Sequence, residues 1–218
     1  MSCSCSASNE STARHFDDQR ARAELEAYHR KGPGPTTRRL LTGLRTLGAT
    51  EGRLLDIGAG IGVLTIELLK AGVDRAQCVD LSPASVAIGR VEAERQGWAG
   101  KIRWQEADFV TVASELEPAD VVSLDRVVCC YPAYRPLLEE AAKHSRRFLA
   151  LSYPRGRWFV RAAVWVENTL RRARGNPFRA FVHPPAALDT LLRQCGFTRL
   201  YQESTLTWHA DIYARDAT

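Results

Sequence analysis

Asp56, Asp80 and Asp108 each stand at or just beyond the end of a short apolar run, and the turn Gly58-Ala59-Gly60-Ile61-Gly62 follows the first of them. Glycines after a buried strand let the backbone approach a ligand closely while a helix N-terminus begins beneath it. Gly-x-Gly alone is shared with nucleotide dehydrogenases, but their turn carries Gly or Ala at the place held here by Val63. A carboxylate at Asp56 opposes a pyrophosphate and suits a ligand carrying an ammonium and a sulfonium; a plain strand-to-helix turn is the other reading. Asp80 lies 22 residues after Gly58 and can accept both hydroxyls of a ribose, with Leu81 beside it, or can merely face the helix start at Ser82-Pro83. In Glu106-Ala107-Asp108-Phe109 the acid can accept an adenine amino group, and the next backbone N–H can serve a ring nitrogen. Three sites in one order and spacing point to a nucleoside with a cationic tail.

Such groups need a frame that holds them at one edge. Residues 16–28 read as a helix, Gly32-Pro33-Gly34-Pro35 breaks it, and Thr36 or Thr37 can cap a second helix to about Leu47, with Leu40, Leu41, Leu44 and Leu47 on one face. Strands follow at Arg53 to Ile57, Ala76 to Asp80, Ile102 to Glu106, Ala119 to Leu124 and Arg147 to Ser152. Helices alternate with them at Val63 to Ala71, Ser82-Pro83 to about Gln96, and Tyr134 to Ser145. That alternation implies parallel βαβ units. Phe197 to Glu203 and Leu206 to Ala214, joined by Ser204-Thr205, read as a closing hairpin. The expected fold is α/β: a Rossmann-like seven-stranded sheet, mostly parallel, with a C-terminal antiparallel hairpin and helices on both faces. Residues 1–13 are expected to be a disordered tail and 14–218 one domain, with a helical cap over 14–50 and a helical insertion over 154–190.

Residues 52–125 resemble the nucleotide half of class I S-adenosylmethionine-dependent methyltransferases. The resemblance implies cofactor contacts at Asp56, Gly58, Gly60, Gly62, Asp80, Leu81, Asp108, Phe109 and Asp125, and S-adenosylhomocysteine as product. More narrowly, His15-Phe16-Asp17-Asp18, Tyr131-Pro132 and Arg179-Ala180-Phe181-Val182-His183 are similar to magnesium-protoporphyrin O-methyltransferases. The chain departs from them across Leu124 to Tyr131.

Methyl transfer from a sulfonium is an in-line displacement in which alignment and water exclusion dominate; a base is needed only when the acceptor arrives protonated. An acceptor over the ends of the first and fourth strands meets Asp125, Arg126, Cys129, Tyr131 and Pro132, with Tyr153 arriving from the fifth strand. Asp125 can face the sulfonium or take a proton, or cap a loop. Arg126 can clamp a carboxylate, or form a surface ion pair. Tyr131 can be an aromatic wall and His183 an acid–base group, against a plain turn and a satisfied loop histidine. Asp125, Tyr131 and His183 are thus the catalytic candidates; Arg126, Cys129, Tyr131, Tyr153, Trp158 and His183 are those for acceptor binding. His15 and His29 lie on a segment able to close as a lid. The run Arg157 to Val166 is apolar around too much of its circumference for a simple surface helix: it packs in the core, roofs a hydrophobic acceptor, mediates dimerisation or touches a membrane surface.

With 218 residues, 45% hydrophobic and 25% charged, one domain is expected. No apolar run reaches the ~18–20 residues of a membrane span, and the N-terminus lacks the order of a secretory signal, so a cytoplasmic protein with reduced cysteines is expected. The charge of +5 comes from 26 Arg and 4 Lys against 25 acids; it is a compositional habit or, around Arg155 to Arg179, a site for carboxylate, phosphate or anionic lipid. Cys3, Cys5 and Cys129-Cys130 could gather a soft metalloid, but no spacing matches a zinc site and no metal is expected. The expected acceptor is a small molecule, hydrophobic and carboxylate-bearing. A nucleic-acid methyltransferase is the second reading, weakened because Asp125-Arg126-Val127-Val128 stands where amino-methylating enzymes carry Asn-Pro-Pro-aromatic. Thiol or metalloid methylation, a nicotinamide oxidoreductase and a non-catalytic scaffold complete the alternatives, with monomer and homodimer both open.

Overall fold

β1 (Arg53–Ile57) forms the middle of the molecule because its alternate side chains meet two different cores. Leu54 faces one cluster, with Leu40, Leu44, Ile66 and Leu68; Leu55 and Ile57 face another, with Phe109, Leu137 and Leu188. A strand buried on both faces needs helices on both. The computed structural model describes residues 11–216. Around β1 lie β2 (Arg75–Asp80), β3 (Ile102–Glu106), β4 (Ala119–Asp125), β5 (Ser145–Pro154), β6 (Phe197–Ser204) and β7 (Trp208–Arg215), in the order β3-β2-β1-β4-β5-β7-β6. β1 to β5 pair in parallel, and β7 runs antiparallel between β5 and β6. The seven-stranded sheet with its closing hairpin is the architecture expected from the sequence.

The helices are α1 (Asp18–Lys31), α2 (Pro35–Thr46), α3 (Val63–Ala71), α4 (Pro83–Arg95), the single turn α5 (Phe109–Val112), α6 (Tyr134–His144), α7 (Trp158–Ala173) and α8 (Pro185–Gln194). α1 starts two residues later than its apolar pattern suggests, because Asp17 caps it by accepting from the Arg20 N–H at 3.0 Å. α2 is capped by Gly34 with Pro35 in its first turn. Thr36 and Thr37 therefore lie inside the helix rather than at its cap, buried, and Thr37 is turned to another task.

Three further expectations change. Residues 11–13 are helical and Ser11 is buried, so the segment expected to be a disordered tail is already structured there; residues 1–10, with Cys3 and Cys5, lie outside the described residues. The last hairpin turns through residues 205–207, leaving Leu206 70% exposed at its tip. The insertion is bounded by strand to Pro154, and its second helix, α8, begins within it and runs on past residue 190. Pro184-Pro185 obscures α8 in the sequence, yet proline at a first helical turn is well tolerated.

Candidate active site

The carboxyl edge of the parallel strands collects the residues that carry chemistry. At the end of β1 the chain turns through Gly58, Gly60 and Gly62 at φ 63°, 56° and 78°, a region that disfavours any side chain. A Cβ on Gly58 would lie 2.4 Å from Val127 Cγ2, and one on Gly62 2.7 Å from the Trp104 ring, whereas one on Gly60 would meet only Glu24 Oε2 at 3.6 Å. The outer glycines are therefore packing positions, and the middle one is open toward Glu24 on α1. Asp80, at the end of β2, accepts from the Gly60 N–H at 2.8 Å and the Ser82 N–H at 2.7 Å. Burial raises its pKa, and these two donors oppose the rise. Each carboxylate oxygen retains a second lone pair, so Asp80 can hold a ribose while it shapes the turn.

Asp56 is placed differently. It is 2% exposed and accepts from Thr65 Oγ1 at 2.7 Å and Ser123 Oγ at 2.6 Å. It lies behind the turn, tying β1 to α3 and β4, rather than toward a ligand; burial pushes its pKa up to about 6. Asp108 caps α5 and accepts the Tyr131 hydroxyl at 2.5 Å. The Phe109 ring is buried against His144, so this residue offers its backbone and not its ring. Leu81, between Asp80 and Ser82, is half-buried.

The other half of the edge begins where β4 ends. Asp125 accepts from Thr37 Oγ1 and from Ser152 Oγ, both at 2.5 Å, and the same Ser152 oxygen accepts from the Arg126 N–H at 2.8 Å. Arg126 is the only non-glycine with positive φ among the described residues, at 63°, and left-handed backbone of this kind gathers at functional sites. Its guanidinium is half-exposed, 3.7 Å from Glu24 on α1. The thiols of Cys129 and Cys130 both turn back onto the Arg126 carbonyl, at 3.3 and 3.6 Å; the contact with Cys130 and burial push the Cys129 thiol up. His183 Nε2–H donates to the Tyr131 carbonyl at 2.8 Å, and burial lowers its pKa.

Several candidates do not join this group. The Tyr131 hydroxyl points to Asp108, on the nucleotide side, where burial and that carboxylate raise its pKa strongly. The Tyr153 hydroxyl donates to Asp211 on β7 at 2.6 Å, because its side chain leaves β5 into the core shared with the closing strands. Trp158 is 79% exposed. Its helix keeps only Val160 buried, so α7 is not the core helix its composition allowed. His29 meets Glu92 at 3.0 Å, on the outer flank of α1.

Glu24, Thr37 and Ser152 had no signal in the sequence. Each lies 27 or more residues from its partner, and only packing joins them. α1 rests on the glycine turn through Ala21 and Tyr28 against Ile61 and Val63. Ahead of it, His15 stacks on Phe178 with centroids 4.1 Å apart; burial and the charges of Arg20 and Arg171 lower its pKa to about 4. The N-terminal segment thus spans the nucleotide side and the insertion. The pKa of Glu24 is raised by burial and by Asp125 and Asp80, against Arg126. A cradle with three carboxylates and one arginine fits a ligand with a cationic sulfonium and ammonium, and repels a pyrophosphate.

Comparison with known proteins points to a methyltransferase domain in the middle of the chain. Residues 54–150 match a family model described as a methyltransferase domain. The chain is 35% identical over 71 residues to the ribosomal protein L11 methyltransferase of Escherichia coli, covering 33% of this chain and 24% of that protein. The Geobacter metallireducens protein of the same name is 39% identical over 66 residues, covering 30% and 22%. The chain thus spans about a quarter of the length of these curated relatives. Magnesium protoporphyrin IX methyltransferase from Synechocystis PCC 6803, with SAH (S-adenosylhomocysteine) bound, has a TM-score of 0.68 at 21% identity over 83% of this chain and 82% of that one. An O-methyltransferase family protein from Burkholderia thailandensis has a TM-score of 0.71 at 17% identity, over 93% and 62%. At such identities the solved structures show a shared fold.

Proposed function

We propose that this chain, whose residues 54–150 match a methyltransferase domain, uses S-adenosylmethionine to methylate a small-molecule acceptor, hydrophobic and carboxylate-bearing, held beside Arg126. One observation carries the reading: the half-exposed Arg126 guanidinium, set by left-handed backbone just past the end of β4, is the cation available to orient an anionic acceptor. Around it Asp125 accepts from Thr37 and Ser152, Tyr131 donates to Asp108, and His183 donates to the Tyr131 carbonyl. A carboxylate acceptor arrives as an anion and needs no base to remove a proton.

S-adenosylmethionine, when bound, supplies a methyl group on a positively charged sulfur. The rest falls to the chain. The glycine turn and Asp80 hold the nucleoside, and Asp108 with the Phe109 backbone takes the base. Glu24 and Asp125 place negative charge where the cationic end lies. α1 and the His15–Phe178 contact roof the edge and exclude water, which strengthens every charge interaction inside. Alignment and water exclusion together can lower such a barrier by up to ~7–11 kcal/mol. The Synechocystis relative is named for magnesium protoporphyrin IX, a small-molecule porphyrin acid of the class proposed.

A radiolabelled methyl-transfer screen with porphyrin acids, thiols, trivalent metalloids, amines, RNA and ribosomal protein tests this. Label in a base-labile methyl ester, with kcat flat from neutral to mildly alkaline pH, is the expected result. Turnover confined to RNA, protein or amines would replace the acceptor class while leaving the cofactor half intact.

A further inference from the structure

α7 turns its apolar face to water. Trp158 is 79% exposed, Trp165 68%, Leu170 48% and Val166 46%, and their spacing sets them along one broad helical face. Ala162, Thr169 and Ala173 lie between them and are exposed as well. The inward side is secured separately: Val160 is buried, Asn168 donates to the Ala180 carbonyl at 2.8 Å, and Arg171 lies over the Phe178 ring at 5.1 Å. The charges around the outer face are nearly all of one sign. Arg157, Arg161, Arg172 and Arg174 are exposed, and the sole acid of the helix, Glu167, is paired with Arg171. A contiguous apolar stripe of this kind on a soluble surface marks a contact site.

We propose that α7 docks on an anionic lipid bilayer, with its tryptophans at the headgroup–acyl boundary and its arginines on the lipid phosphates. Charge selects this occupant. A second copy placed across a two-fold axis would bring the same arginines together, with no acidic strip on the face to meet them. A bilayer offers apolar depth below and negative charge at the rim, which the two parts of this face require. Tryptophan, with an apolar ring and one N–H, is the side chain best suited to that boundary. α7 leaves the sheet just after Pro154, at the edge where Ser152 pairs with Asp125. Docking therefore turns the acceptor half of the edge toward the lipid. The inference is independent of the acceptor chosen above, because its readout is vesicle binding and not methyl transfer.

The test is co-sedimentation of the full chain with phosphatidylcholine vesicles, with and without phosphatidylglycerol. Binding at least tenfold stronger to the anionic vesicles is expected, with a loss of about tenfold or more in Trp158→Ala/Trp165→Ala and in Arg161→Glu/Arg172→Glu. Both pairs are exposed, so their melting temperatures should match the parent. Quenching of the unmodified protein's tryptophan emission by brominated-chain phosphatidylglycerol supplies a readout that needs no variant. No binding to anionic vesicles at low salt overturns the proposal. So does undiminished binding by the tryptophan variant, which would reduce the contact to charge alone. A solution dimer abolished by the tryptophan variant, with no vesicle binding, would give the face to a second copy.

Discussion

On the β1–β2 side of the carboxyl edge, the groups facing the ligand space are backbone turns and one carboxylate held by two N–H donors. On the β4–β5 side they are side chains, and most are bonded to one another: Asp125 to Thr37 and Ser152, Cys129 and Cys130 to Arg126, His183 to Tyr131. The first side is specified by conformation, which few residue types can satisfy. The second is specified by mutual contacts, which many combinations can satisfy.

The comparison is sharpest within the first side, between Asp56 and Asp80, two acids at adjacent strand ends with opposite duties. Asp56→Ala leaves the Thr65 and Ser123 hydroxyls buried without their acceptor and should cost about 4 kcal/mol of stability by urea unfolding. The pH dependence of that site has a definite sign. A carboxyl raised from 3.8 to about 6 holds its proton longer in the fold than in the unfolded chain. Its contribution is complete below pH 4, declines by on the order of 2–3 kcal/mol as pH rises toward 6, and is level above. Asp56→Asn should remove that slope, and an unchanged slope would mean the group is not buried as described.

Gly58→Ala comes next, combining left-handed backbone with a contact of 2.4 Å to Val127; about 2–4 kcal/mol of stability should be lost. Gly60→Ala has room for its Cβ and should show its larger effect in S-adenosylhomocysteine affinity. Equal stability losses at the two positions would erase the distinction between packing and ligand-facing glycines. Asp80→Ala should cost ~1.5–3 kcal/mol of S-adenosylhomocysteine affinity by calorimetry with a smaller effect on folding, the reverse of Asp56→Ala. The smallest stability effect is expected at Arg126→Gly, within about 1 kcal/mol of the parent, because relieved strain offsets the exposed Glu24 pair. Its KM for a carboxylate acceptor should rise, and an unchanged KM would move the acceptor away from this residue.

The contrast also explains what could be read in advance. The βαβ alternation, the glycine turn and the closing hairpin depend on periods of 2 and 3.6 residues and on turn chemistry, all of which are local. The direction of Asp56 is not local. One residue at a strand end can face the turn or the core, and Thr65 and Ser123 decided for the core by offering two hydroxyls there. Tyr131 and Tyr153 were legible as aromatics near strand ends, but their hydroxyls went to carboxylates that packing brought to them, the half-buried Asp108 and the buried Asp211.

The sequence by itself determined the sheet, the antiparallel hairpin that closes it, and the glycine turn, because each follows from neighbours in the chain. Tertiary structure alone decided which acids face the cofactor space and that Glu24 and Thr37 reach across to β4. It also left the apolar stripe of α7 outside the core. Those outcomes rest on contacts between residues dozens of positions apart, and burial, hydrogen-bond satisfaction and charge choose among them only once the elements have packed.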